Sequence, residues 1–211
     1  MKRKGILIVV SGFSGSGKGT LMKELLSRYP DTYALSISAT TRPPREGEAH
    51  GREYFFISKD EFEKMIAKGE LIEYARYVEN YYGTPREYVE KMLDEGKDVI
   101  LEIEIQGALK VKKAFPDTLL LFVTPPNATE LKKRLVGRGT ETLEIIKSRL
   151  DRACEEAEGM NSYDYLIVND DLNACVEKMH EIIQGEHHRS FRNEAFMKDI
   201  KEDLERLKGE N

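Results

Sequence analysis

Apolar residues in this chain fall into short unbroken runs separated by longer amphipathic stretches. ILIVV (Ile6–Val10), LSIS (Leu35–Ser38), VILEI (Val99–Ile103), LLLFV (Leu119–Val123) and YLIV (Tyr165–Val168) are β-rich and continuous rather than alternating. That is the pattern of strands buried on both faces of a parallel sheet. Between them, TLMKELLSRY after a glycine-rich turn and LEIIKSRLDRACEEA from Leu143 carry helical periodicity. The alternation predicts an α/β layered fold with a five-stranded parallel core, residues 1–37 and 97–186. From Ser38 to about Gly96 the texture changes: REYFFIS and LIEYARY are aromatic, read as antiparallel strands, and mark an inserted lobe (about 38–96). Residues 187–211 are highly charged, with Phe196, Ile200, Leu204 and Leu207 spaced by four, four and three. This predicts an amphipathic helical tail that packs on the core or on another subunit, making a homo-oligomer one expectation.

Bulk properties narrow the function. The length of 211 residues suits one domain with an insertion. A net charge of -5 offers no global attraction to nucleic acid or to an anionic membrane, so basic chemistry must be local. The apolar runs are too short to span a bilayer, and MKRKG leads into the first of them without a signal peptide's length or cleavage site. Cys154 and Cys175 lie far apart in helical stretches and read as reduced thiols. The expected location is cytoplasmic.

The strongest chemical signal is SGFSGSGKGT, Ser11–Thr20, directly after the first apolar run. Gly12, Gly17 and Lys18 meet the pattern G-x-x-x-x-G-K-[ST] of a phosphate-binding loop, but Gly19 stands where a magnesium-binding hydroxyl is usual, and Thr20 comes one place late. Glycine has no Cβ, so in a loop with glycine at four of its nine positions after Ser11 the successive amides of Gly12, Phe13, Ser14, Gly15, Ser16, Gly17, Lys18, Gly19 and Thr20 can turn inward and wrap phosphate oxygens at a helix N-terminus, with Lys18 as a movable charge. Switch GTPases and ATPases hold magnesium with the missing hydroxyl. A kinase acting on a nucleotide can leave Mg2+ to phosphates and waters, so GKGT points to nucleoside monophosphate phosphorylation.

A second constellation concerns the acceptor. Arg42 and Arg45 flank a Pro-Pro pair, and Tyr54 follows nine residues later. Two guanidiniums beside a phenol suit a dianionic phosphate. The stretch TTRPPREGEAHGREYFF resembles the signature of the guanylate kinase family, and IEYARYVENYYGTP, LEIEIQGA, KKRLVGRGTET and YLIVNDD agree in the same order. The resemblance runs from about Gly5 to Gln184. It implies a P-loop kinase fold with a GMP-binding lobe and a short lid (about 134–150), and transfer of the γ-phosphoryl group of MgATP to GMP, and to dGMP, for guanine nucleotide recycling.

By the same resemblance, Ser38, Arg42, Arg45, Tyr54 and Tyr82 hold the GMP phosphate, and Glu73, Thr84 and Glu104 read the guanine. Glu102 and Glu104 alternate in phase, which predicts that both point to one face of the strand; the resemblance puts Glu102 near the magnesium waters. Arg134, Arg138 and Arg149 serve the donor's phosphates from the lid, and Asn169 lies near the donor adenine. Two other readings compete. A kinase for a different monophosphate would lack the Glu73/Thr84/Glu104 set. A kinase-dead guanylate-kinase-like module that binds proteins would be expected to lack the glycine loop and Lys18, and both are intact.

Overall fold

The computed structural model describes residues 3–77, 79–137 and 142–209. In chain order the elements are β1 (Leu7–Gly12), α1 (Lys18–Arg28), β2 (Tyr33–Leu35), β3 (Ala39–Thr40), β4 (Phe55–Phe56), α2 (Lys59–Lys68), β5 (Leu71–Tyr77), β6 (Asn80–Pro85), α3 (Arg86–Asp94), β7 (Asp98–Glu102), α4 (Ile105–Ala114), β8 (Leu119–Thr124), α5 (Ala128–Val136), α6 (Leu143–Glu158), β9 (Tyr165–Val168), α7 (Leu172–Glu186) and α8 (Glu194–Gly209).

The continuous apolar runs form a parallel sheet of order β2-β7-β1-β8-β9. The two-residue period of a strand divides β1 between two cores. Ile8 and Val10 pack with Leu21 and Leu25 of α1 and Val176 and Met179 of α7. Leu7 and Val9 pack with Val89 of α3 and Ala108 and Val111 of α4. Fully burying side chains of this size contributes about 1.5–3 kcal/mol each, which is why such runs demand cover on both faces. The connections place the carboxyl ends of β1 and β7 at one rim, where ligands enter open α/β sheets.

Three expectations shift. The second core strand is Tyr33–Leu35, pairing with Asp98, Val99 and Ile100, not Leu35–Ser38. After the Ser36 amide donates to the Ile100 carbonyl, the chain leaves for a second sheet. That sheet has order β4-β3-β6-β5. Its β5 and β6 are antiparallel, but β4, within REYFFIS, is only two residues long and runs parallel to β3. Ala39, Phe62 and Leu71 fill the lobe's small core, with Phe62 stacked on Tyr81 at 5.1 Å between centroids. Finally, the core does not end at residue 186. His187 is buried, its Nε2 lies 2.9 Å from Asp98 Oδ1, and the Arg192 guanidinium donates to the Asp117 carbonyl at 2.7 Å. The projecting helix begins only at Glu194.

Cys154 is exposed and Cys175 buried, and neither is in a disulfide. Among the described residues no helix is long and apolar enough to cross a membrane.

Candidate active site

The glycine loop is shaped by close approaches. β1 ends at Gly12, where a β-carbon would lie 2.1 Å from the Val123 carbonyl oxygen, so only glycine fits against β8. Gly17 turns into α1 with φ at 89°, and a β-carbon there would meet Asn169 Nδ2 at 2.5 Å. Between them Phe13 anchors the loop, its ring edge-on to Phe122 and packed with Leu131, Leu135 and Ile146 of α5 and α6. The loop therefore sits on the two helices that carry Arg134 and Arg149. Arg134 donates to the Ser16 carbonyl at 3.4 Å and Arg149 to Ser14 Oγ at 2.8 Å. Lys18 Nζ donates to the Gly12 and Phe13 carbonyls at 2.6 and 3.1 Å. Ser16 Oγ is buried with no hydrogen-bond partner among the described residues. Three cations and the open first turn of α1 thus converge on one loop, an arrangement suited to a polyphosphate.

The resemblance puts Asn169 near the donor adenine, and the structure places it against the glycine loop. It is only 7% exposed, and its Nδ2 donates to the Ser16 carbonyl at 2.9 Å, bracing the loop from below. Arg138 lies outside the described residues. A β-carbon on Gly19 would meet nothing within 4 Å, so its missing side chain is not demanded by crowding.

In the inserted lobe, the Arg42 guanidinium lies 5.0 Å from the Tyr54 ring centroid and 5.5 Å from that of Phe56, with Tyr82 edge-on to Tyr54. Ser38 precedes β3 and its carbonyl accepts from the Phe55 amide. Both terminal nitrogens of Arg42 donate to Glu48 at 2.7 Å, and the Arg45 amide donates to the same carboxylate at 2.8 Å. The Arg42 bonds first, then that amide, hold Glu48 down to about 2. Sequence reasoning does not single out Glu48; its one trace is the acidic position within the arginine motif.

Glu73 of β5 accepts from Thr84 Oγ1 of β6 at 2.8 Å across the antiparallel pair. A β-carbon on Gly107 would lie 3.5 Å from Glu73 Oε2, so the first turn of α4 walls the carboxylate. Burial pushes the Glu73 carboxyl above the ordinary range, partly offset by the Thr84 bond and the Lys110 charge. Glu102 ends β7 and is exposed there, yet the protein around it still pushes its carboxyl up, against the pull of Lys18.

The two acids of LEIEIQGA do not share a strand face. β7 stops at Glu102, and Glu104 is the residue before α4, where the backbone has turned to begin a helix. Its side chain is 69% exposed and lies 2.5 Å from Arg152 of α6, which also donates to Glu156 at 3.1 Å. Period-two reasoning cannot see that turn, and nothing in the residue pattern marks Arg152.

Residues 4–186 match the family model for guanylate kinase. The chain is 52% identical over 202 residues to a guanylate kinase of Bacillus anthracis, covering 96% of this chain and 98% of the relative. It is 52% identical over 187 residues to that of Bacillus subtilis (strain 168), covering 89% and 92%. The crystal structure of guanylate kinase from Anaplasma phagocytophilum superposes with a TM-score of 0.70 at 32% identity, covering 90% of each chain. The family match spans the glycine loop, the inserted lobe and both arginine-bearing helices in one stretch, and the chain therefore belongs to the guanylate kinase family.

Proposed function

We propose that this chain transfers the γ-phosphoryl group of MgATP to GMP, giving ADP and GDP, with dGMP as a second acceptor. The observation that carries the acceptor's identity is the walled Glu73–Thr84 pair. Guanine presents N1–H and an exocyclic NH2 side by side, which one carboxylate accepts together, while a threonine hydroxyl can donate to O6. Adenine would set an unprotonated N1 against the same carboxylate, acceptor against acceptor. A bidentate pair of this kind discriminates by about 1–3 kcal/mol, and an unpaired buried group adds to the rejection. Glu104 joins this recognition only by releasing Arg152.

The loop amides, Lys18, Arg134, Arg138 and Arg149 hold the donor's phosphates. Arg42, Arg45, Ser38, Tyr54 and Tyr82 hold that of GMP, and Asn169 acts through the loop it braces. The donor set fits magnesium that keeps its waters: Gly19 offers no side-chain oxygen where the hydroxyl ligand is usual, which leaves the metal's shell to phosphates and waters. Glu102, with no side-chain hydrogen bond among the described residues and close enough to Lys18 to feel its charge, is the outer anchor. Bound magnesium would neutralise charge on the phosphate oxygens. A phosphate oxygen of GMP forms the new bond to the γ-phosphorus as the bond to the ADP oxygen breaks. That nucleophile is already anionic, so no general base is needed, and the residues act by positioning and charge neutralisation.

Glu73→Gln tests the reading. The amide turns one acceptor into a donor, so kcat/KM for GMP should fall by about ten- to a hundred-fold, the value of a charge-assisted bond. AMP should lose nothing and KM for ATP should hold. An equal fall for GMP and AMP, or an unchanged GMP value, would remove Glu73 from the guanine site.

A further inference from the structure

α8 leaves the core after Asn193, and none of its residues Glu194–Gly209 is buried. Phe196, Ile200 and Leu204 are 63%, 44% and 61% exposed. Met197, Ile200, Leu204 and Leu207 follow one another at three, four and three residues, the a and d positions of a heptad. A helix of 16 residues is marginal by itself in water, and most helices are stabilised by covering an apolar face. An anionic lipid surface is a poor cover, because the polar side of such helices is rich in Lys and Arg, whereas α8 carries four basic and five acidic side chains.

The charges fit a second copy instead. In the same heptad frame Asp203 takes a g position and Lys208 the following e position. In a parallel pair each Asp203 then faces a lysine across the seam, whereas an antiparallel pair would set the e-position lysines, Lys201 and Lys208, against each other. Asp203 also pairs with Arg206 of its own helix, both largely exposed, and exposed pairs of this kind are weak enough to share. At the foot of α8 a cavity of about 740 Å³, lined by Leu93, Phe115, Phe191 and Phe196, gives apolar ground where two bodies would meet. It lies by Gly5 and Ile6, at the end of β1 opposite the glycine loop, so pairing there leaves the substrate crevice open.

We propose that α8 pairs in parallel with α8 of a second copy of this chain, with Met197, Ile200, Leu204 and Leu207 as the seam and Asp203 facing Lys208 of the partner subunit. Sedimentation equilibrium of the full chain at tens of micromolar should show a dimer. Asp203→Lys should weaken it by about tenfold or more, because like charges then face each other twice. The double variant Asp203→Lys/Lys208→Asp should restore dimerisation, and all three chains should keep their kinase rate, since neither residue lies at the substrate crevice. A monomer throughout the concentration range would overturn the proposal. So would a dimer indifferent to Asp203→Lys, a double variant that stays dissociated, or a monomer that sediments with phosphatidylglycerol vesicles.

Discussion

Arg42 presents both terminal nitrogens to Glu48 at 2.7 Å, so the side chain proposed to receive a phosphate already holds a planar anion in the same fork. Phosphate must share that guanidinium with Glu48 or displace it, and the aromatic rings beneath keep the guanidinium in place either way. Glu73 is the opposite case, a carboxylate without a cation in hydrogen-bond contact among the described residues, whose burial raises its affinity for protons. The guanine contact proposed for Glu73 needs the ionised form. As pH falls, a raised pKa means the proton arrives earlier than at an ordinary carboxylate. The kcat/KM for GMP should therefore drop on the acid side while free aspartates and glutamates are still ionised. The phosphate of GMP also takes up a proton near pH 6, so the comparison that isolates Glu73 is the profile of Glu73→Gln. Loss of one acid limb in that variant is expected; an identical limb would assign the proton to the nucleotide or to another group.

At the scale of elements, the strand–loop–helix unit β1–α1 answers the anomaly in its own sequence. Gly19 lies on the open side of the first turn of α1, where an added side chain touches nothing. Gly19→Ser should fold and gain slightly, since glycine inside a helix costs about 0.5–1 kcal/mol relative to alanine. The magnesium concentration for half-maximal rate should move less than about twofold if phosphate and water dominate the metal's shell. A large fall in that requirement, measured by titrating magnesium at saturating ATP and GMP, would show that glycine is a real deficit. The loop and core strands are legible in the sequence because sterics and two-sided burial both leave local marks: glycines at Gly12 and Gly17, and unbroken apolar runs. β2 is misplaced by two residues at its start and three at its end because LSIS is as apolar as a strand while its second half departs for another sheet. The direction of β4 is not local information at all, since Phe55–Phe56 looks the same parallel or antiparallel. Asn169 and Arg152 are equally silent, because their partners, Ser16 and Glu104, are distant in sequence.

For the whole molecule, the proposed chemistry divides between the two sheets. The parallel sheet leads into the glycine loop proposed for the donor at the end of β1, and the four-stranded sheet holds Tyr82, Glu73 and Thr84, with Arg42 just after β3, proposed for the acceptor. The arginines of α5 and α6 reach the loop from the same core cluster that anchors Phe13. Glu104 and Arg152 tie the start of α4, whose first turn walls Glu73, to α6, which carries Arg149. In the proposed reaction the two substrates are held on separate elements and react only when both are in place. The central claim is that this chain phosphorylates a guanine nucleotide and discriminates by the base. ADP release, followed by a coupled assay with GMP, AMP, CMP and UMP in parallel at equal MgATP, tests it most directly. GMP should be turned over with kcat/KM at least about tenfold above each of the others, the scale of one bidentate base contact; turnover of AMP or UMP equal to that of GMP would contradict it.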